Sequence, residues 1–124
     1  MVDSTTPLGR LVKLIRHRVG TRWRGQMVKP RFQKRVKDES GFYAVGKGSN
    51  EYSPRLVLVS HGVAFHYTVK DRSYHIVDLK TNDLINPRLV PDEAWEALIA
   101  EVNRLCDQEI ERRQRKLAAR DKPA

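Results

Sequence analysis

Between Arg55 and Lys70 apolar side chains recur at every second position, Leu56 and Leu58, then Val63, Phe65, Tyr67 and Val69, and the dipeptide His61-Gly62 breaks the alternation. A period of two commits these residues to strands with one face turned to a core. A two-residue hairpin connection needs positive φ at its central positions; Gly accepts this freely, and His tolerates it better than most residues. A turn at His61-Gly62 therefore sets Leu58 opposite Phe65 and Leu56 opposite Tyr67. Little freedom is left in that half of the sheet.

The remaining strands follow from the same pattern. Phe42–Val45, Arg55–Ser60, Val63–Lys70 and Tyr74–Lys80 read as an antiparallel meander, with a short fifth strand at Leu84–Ile85 and a polar loop over Gly46–Pro54. A three-residue loop at Asp71–Ser73 would pair Tyr67 with Val77 and Phe65 with Leu79, whereas a two-residue loop would set them against Asp78 and Lys80. A one-residue slip turns the apolar set outward, so burial selects the first register. The expected core face is then Leu56, Leu58, Val63, Phe65, Tyr67, Val69, Val77 and Leu79. The mixed second face carries Val57, Val59, Ala64, His66, Thr68, Lys70, Tyr74, Ile76 and Asp78.

A helix flanks this sheet on each side in sequence. Thr6 can cap and Pro7 fits the first helical position. Leu8, Leu11, Val12, Leu14, Ile15 and Val19 then recur at helical spacing up to a stop at Gly20, with Arg10, Lys13, Arg16, His17 and Arg18 on the other positions. Residues 21–37 contain Gly25 and Pro30 and read as a basic arm or loop, with an edge strand near Phe32–Val36. Pro91 opens the last helix, whose stripe of Trp95, Leu98, Ile99, Val102, Leu105 and Cys106 fades after Ile110. The expected architecture is α+β: an N-terminal amphipathic helix, an antiparallel β-meander of four to five strands, and a long C-terminal helix packed on the sheet. At 124 residues this is a single domain, with flexibility expected at residues 1–5 and about 117–124.

Composition narrows the class. The single Cys106 rules out an intrachain disulfide and argues against a disulfide-stapled secreted domain. No apolar run approaches the roughly 20 residues of a membrane span, and the N-terminus lacks the order of a signal peptide, which points to the cytoplasm. One Cys and four scattered His give no metal-ligand spacing, and no cofactor motif is present. Gly46-Lys47-Gly48-Ser49 falls short of the phosphate-loop pattern and precedes no helix.

Charge is partitioned along the chain. Met1–Lys37 holds eleven Lys/Arg against Asp3, Asp38–Glu111 seven against thirteen acids, and Arg112–Ala124 six against one; +10, −6 and +5 sum to the net +9. From Arg10 to Lys37 there is no acid at all, whereas a merely solvated face usually mixes both signs. This stretch predicts a non-enzymatic nucleic-acid-binding protein. Arg10, Lys13, Arg16 and Arg18 would contact phosphates from the helix, with Arg22, Arg24, Lys29, Arg31, Lys34 and Arg35 doing so from the arm and Trp23 stacking on bases. Arg112, Arg113, Arg115 and Lys116 form a secondary basic segment, which complementing the helix dipole and i,i+4 pairing also explain.

Two rival functions remain open in the sequence. An acidic protein surface would suit the same cations, making the chain a regulator or inhibitor of a nucleic-acid machine, of the sort mobile elements carry. Val57, Val59, Ala64 and Ile76 would be its apolar contact patch. The other rival is a small metal-independent ribonuclease. The expected register sets His66 opposite Asp78 with Lys70 and Tyr74 paired further along, a grouping able to move protons. It equally describes a cross-strand surface pair. His75 is expected at the core rim beside Val69.

Overall fold

The computed structural model describes residues 5–45 and 53–121. The loop over 46–52, with Gly46-Lys47-Gly48-Ser49, and the termini 1–4 and 122–124 lie outside the described residues. Helix α1 spans Pro7–Arg18, strands β1 to β4 span Gly41–Val45, Ser53–Ser60, Val63–Thr68 and Ser73–Asp78, and helix α2 spans Asp92–Asp121 after a 3-10 turn at Pro87–Leu89. The strands form one antiparallel sheet in sequence order, a plain meander. This is the α+β arrangement that the periodicities predict.

Local chemistry explains the boundaries. The Thr6 hydroxyl accepts from the Gly9 amide at 3.0 Å, capping α1, and Pro7 gives up only an amide that would have no helical partner. Val19 ends the helix in an extended conformation, one residue before Gly20. In the β2–β3 turn His61 and Gly62 have φ of 49° and 76°, as a two-residue hairpin requires, and Leu58 faces Phe65 while Leu56 faces Tyr67.

The β3–β4 hairpin departs from expectation. Thr68 pairs with Ser73 across a four-residue loop, in which Arg72 adopts φ of 58° and donates its amide to the Thr68 carbonyl at 2.8 Å. Pairing is displaced by an odd number of residues, so every β4 side chain changes face. Phe65 faces Ile76 and Tyr67 faces Tyr74; Ile76 joins the core, while Val77 and Leu79 belong to the opposite side. His75 likewise leaves the core rim and lies on the outer face, against His66.

The core lies between the sheet and both helices. Leu11, Val12 and Ile15 of α1 and Trp95, Leu98, Val102 and Cys106 of α2 close over Phe42, Leu56, Leu58, Phe65 and Ile76. Side chains of this size contribute about 1.5–3 kcal/mol each on full burial. A smaller cluster of Tyr43, Val57, Ala64 and Val77, with Val59 and Leu79 beside it, occupies the outer face. The contact patch expected there is therefore not available: Val57 and Ala64 are buried, and Ile76 is on the other side of the sheet.

Both sheet edges are partly occupied. The expected strand near Phe32–Val36 is reduced to a parallel bridge between Gln33 and Tyr43. Gln33 donates to the Phe42 carbonyl and accepts from the Ala44 amide, both at 2.9 Å. On β4 the expected strand at Leu84–Ile85 is likewise one bridge, Val77 to Leu84, with Ile85 donating to Ile76 and Asp78 to Asp83.

Candidate functional site

The basic arm is an ordered loop pinned to the end of α1. Val28 donates to Arg18 and accepts from Gly20, and Arg24 and Met27 exchange two backbone hydrogen bonds around a turn in which Gly25 has φ of 55°. Val28 and Pro30 are buried and Phe32 half-buried, the last packed edge-on against Phe42 at 6.2 Å. Lys29 and Arg31 alternate with them and point to solvent. The alternation aims cations outward because their neighbours are buried.

Folding divides the predicted contacts into two groups. Arg10 pairs with Glu96 at 2.6 Å, and Arg18 donates to Asn103 and Asp107, both at 3.0 Å, so both tie α1 to α2. Arg18 is turned inward, its side chain only 13% exposed. Trp23 is half-buried against the core, and the guanidinium of Arg113 sits 4.5 Å from its ring centroid, covering one face. By contrast Lys13, Arg16, Arg22, Arg24, Lys29, Arg31, Lys34 and Arg35 are all exposed. None of them makes an ion pair among the described residues.

Every described ion pair takes its acid from α2. Besides the two to α1, Glu101 pairs with Arg104, Glu109 with Arg112 and Glu111 with Arg115, within the helix. The bidentate Arg104 contact, at 2.7 and 2.8 Å, holds the Glu101 carboxyl below its ordinary range. Arg112 and Arg115 are thus taken up as helix pairs and Arg113 by Trp23, leaving Lys116 of the secondary segment without an ion pair among the described residues. Cys106 is fully buried, and burial pushes its thiol up to about 11.

The outer sheet face holds a cluster that the expected register concealed. His66 faces His75, not Asp78, and the two rings stack in parallel with centroids 4.8 Å apart. Asp78 faces Val63 and accepts from the Lys80 and Thr81 amides, which makes it a turn residue. Lys70 lies in the loop, and Tyr74 stacks on Phe65 at 5.6 Å. The His66–Asp78 grouping behind the ribonuclease reading does not form. Two parallel rings side by side also cannot flank a phosphate from opposite sides, as an acid and a base for in-line displacement must.

His66 is 4% exposed, and its Nδ1 is buried without a partner. Burial, then His75, Arg35 and Arg55, lower its pKa to about 4. Burial and then Arg55 lower that of His75. Arg55 lies on β2 opposite Thr68, whose other neighbour is Ser73, so all three share the histidines' face. Arg35, in the segment that follows the Gln33 bridge, is close enough for its charge to act on His66, and it lines a cleft with Lys37, Asp38, Leu79 and Lys80. The signal for this cluster lay in Arg55, His66 and His75 as three polar residues at strand positions, but it becomes readable only with the correct register.

The chain matches no protein-family model, no curated protein and no solved structure. Its class is that of a small α+β protein with two helices on one sheet face and, between the first helix and the sheet, a basic loop whose cations make no ion pair among the described residues. Among the described residues, no helix is long and apolar enough to cross a membrane.

Proposed function

We propose that this protein binds nucleic acid without acting on it chemically, through Lys13 and Arg16 of α1 and the loop cations Arg22, Arg24, Lys29, Arg31, Lys34 and Arg35. One observation carries the reading: these cations stay exposed and make no ion pair among the described residues, while Glu96 and Asp107 of α2 pair with α1, and Glu101, Glu109 and Glu111 pair within α2. A loop held by backbone hydrogen bonds presents them without the ordering cost of a free tail. Arginines dominate the set, and their planar forks suit phosphate oxygens.

The test is binding across a salt series with single- and double-stranded DNA and RNA, beside a pulldown after nuclease treatment. If about five phosphates are contacted on duplex DNA, log affinity falls against log salt with a slope near −4. A slope near zero, or one stoichiometric protein partner retained after nuclease, defeats the proposal and returns the regulator reading.

A further inference from the structure

We propose that the outer face of the sheet is a phosphate-binding site, in which the guanidinium groups of Arg35 and Arg55 and the imidazoles of His66 and His75 hold the anion, with Thr68 and Ser73 as further donors. This goes beyond the loop contacts: the site lies on the sheet, and three of its four principal residues come from strands.

This face carries no acid at its described strand positions. These are Gly41, Tyr43, Arg55, Val57, Val59, Ala64, His66, Thr68, Ser73, His75 and Val77. Acids stand only around its rim among the described residues: Glu39, whose carbonyl accepts from the Tyr43 hydroxyl, Asp38 in the adjoining cleft, and exposed Asp71 in the loop between Thr68 and Ser73. Arg55 has no ion pair among the described residues, and its Nε is buried without a partner. A cation held on a half-buried surface without a counter-charge is costly unless an anion joins it.

An unpartnered buried lone pair costs less than an unpartnered buried N–H, so neutral His66 keeps its proton off Nδ1 and carries it on Nε2. That leaves Nε2–H as the ring's donor. His75, exposed at the edge strand, stacks on it and can donate from the same side. The lowered pKa values of both rings report a positive potential at this place, beyond the effect of burial alone. Such a potential repels a divalent cation and attracts phosphate, whose oxygens accept from guanidinium forks and imidazole N–H groups together.

The phosphate could be free or part of a phosphodiester backbone, and one experiment separates these. The imidazole signals of the full chain are followed by long-range 1H–15N NMR at constant ionic strength. Sodium phosphate, a nucleoside monophosphate and a short single-stranded oligonucleotide are added in separate titrations. His66 and His75 shift saturably while His17 and His61 do not. Saturation by phosphate and monophosphate alone assigns the site to free phosphoesters; saturation by the oligonucleotide at lower concentration assigns it to nucleic-acid backbone. Arg55→Gln weakens the saturating ligand about tenfold or more. If that variant does not fold, His75→Gln at the exposed edge carries the same expectation, read from His66. No saturable shift with any of the three, equal shifts at His17 and His61, or the same shift with sodium chloride overturns the proposal. The triple variant Lys29→Glu, Arg31→Glu and Lys34→Glu, which disables the loop, retains the phosphate-induced shifts. Failure of the loop reading is thereby distinguished from failure of this one.

Discussion

The guanidinium of Arg113 lies over the Trp23 ring, 4.5 Å from its centroid, and joins the far part of α2 to the loop after α1. Trp23, Arg24 and Gly25 meet Ile110, Arg113, Gln114 and Leu117 around this contact. The tryptophan thus helps to hold the loop in place, and one face of its ring is already covered.

It follows that Trp23→Ala lowers stability by about 2 kcal/mol, within the range for removing a large aromatic that is only half-buried. Arg113→Ala costs about 0.5–1 kcal/mol, the scale of a partly exposed cation–π contact. Urea denaturation followed by circular dichroism measures both. A loss of single-strand affinity in Trp23→Ala that exceeds its loss of folded protein would instead make the ring a stacking platform.

Arg18 and Arg31 separate structural from binding cations. Arg18→Ala strips partners from Asn103 and Asp107 and costs about 1–3 kcal/mol of stability, leaving the salt slope of binding unchanged. Arg31→Ala shifts stability by less than about 0.5 kcal/mol and makes the slope on duplex DNA shallower by about 1. Exchange of these two phenotypes would reverse the assignment of the basic residues.

Stability depends on pH through His66. Its folded value of about 4 lies below the ordinary 6.5, so the unfolded chain binds the proton more tightly. Stability is therefore full above about 6.5 and declines as pH falls toward 4, by on the order of 3 kcal/mol. The charges of His75, Arg35 and Arg55 act in the same direction as burial. His75 adds to the decline, its own pKa being lowered too. Glu101, stabilised as a carboxylate, adds a separate loss at lower pH. Chemical denaturation at several pH values in a buffer free of phosphate gives this slope, and in His66→Gln it should flatten; an unchanged slope would place the titration elsewhere.

Cys106 reports opening of α2. With its thiol fully buried and its pKa pushed up to about 11, it reacts with an aromatic disulfide reagent only after the helix lifts from the core. The reaction is slow in native buffer and fast in denaturant. Rapid native labelling would mean that α2 detaches readily.

Much of this fold is readable in the residues, because several local signals agree. Thr6-Pro7 opens one helix, His61-Gly62 sets one hairpin, and Pro91 with Asp92 and Glu93 begins the other helix. The β3–β4 register is different in kind. Ile76 and Val77 are adjacent and both apolar, so alternation does not decide between them, and Val77 with Leu79 outweighs Ile76 alone. The outer face is itself largely buried, which removes the penalty that burial was expected to impose on the true register. A four-residue loop with Arg72 at positive φ has no glycine or asparagine to announce it. The histidine pair was lost with that register. The loop cations were visible because their charge needs no register, but their division into paired and unpaired members depends on acids about 85 residues or more away on α2.

The bridges at Gln33 and Leu84 bear on how this protein can be approached. By occupying backbone groups of Phe42 and Ala44 at one margin and of Ile76 and Asp78 at the other, they deny an incoming chain the ladder it would need to extend the sheet. Along these stretches recognition falls to side chains, which ionic strength and single substitutions can tune, and pairing with the edge of another copy is hindered there.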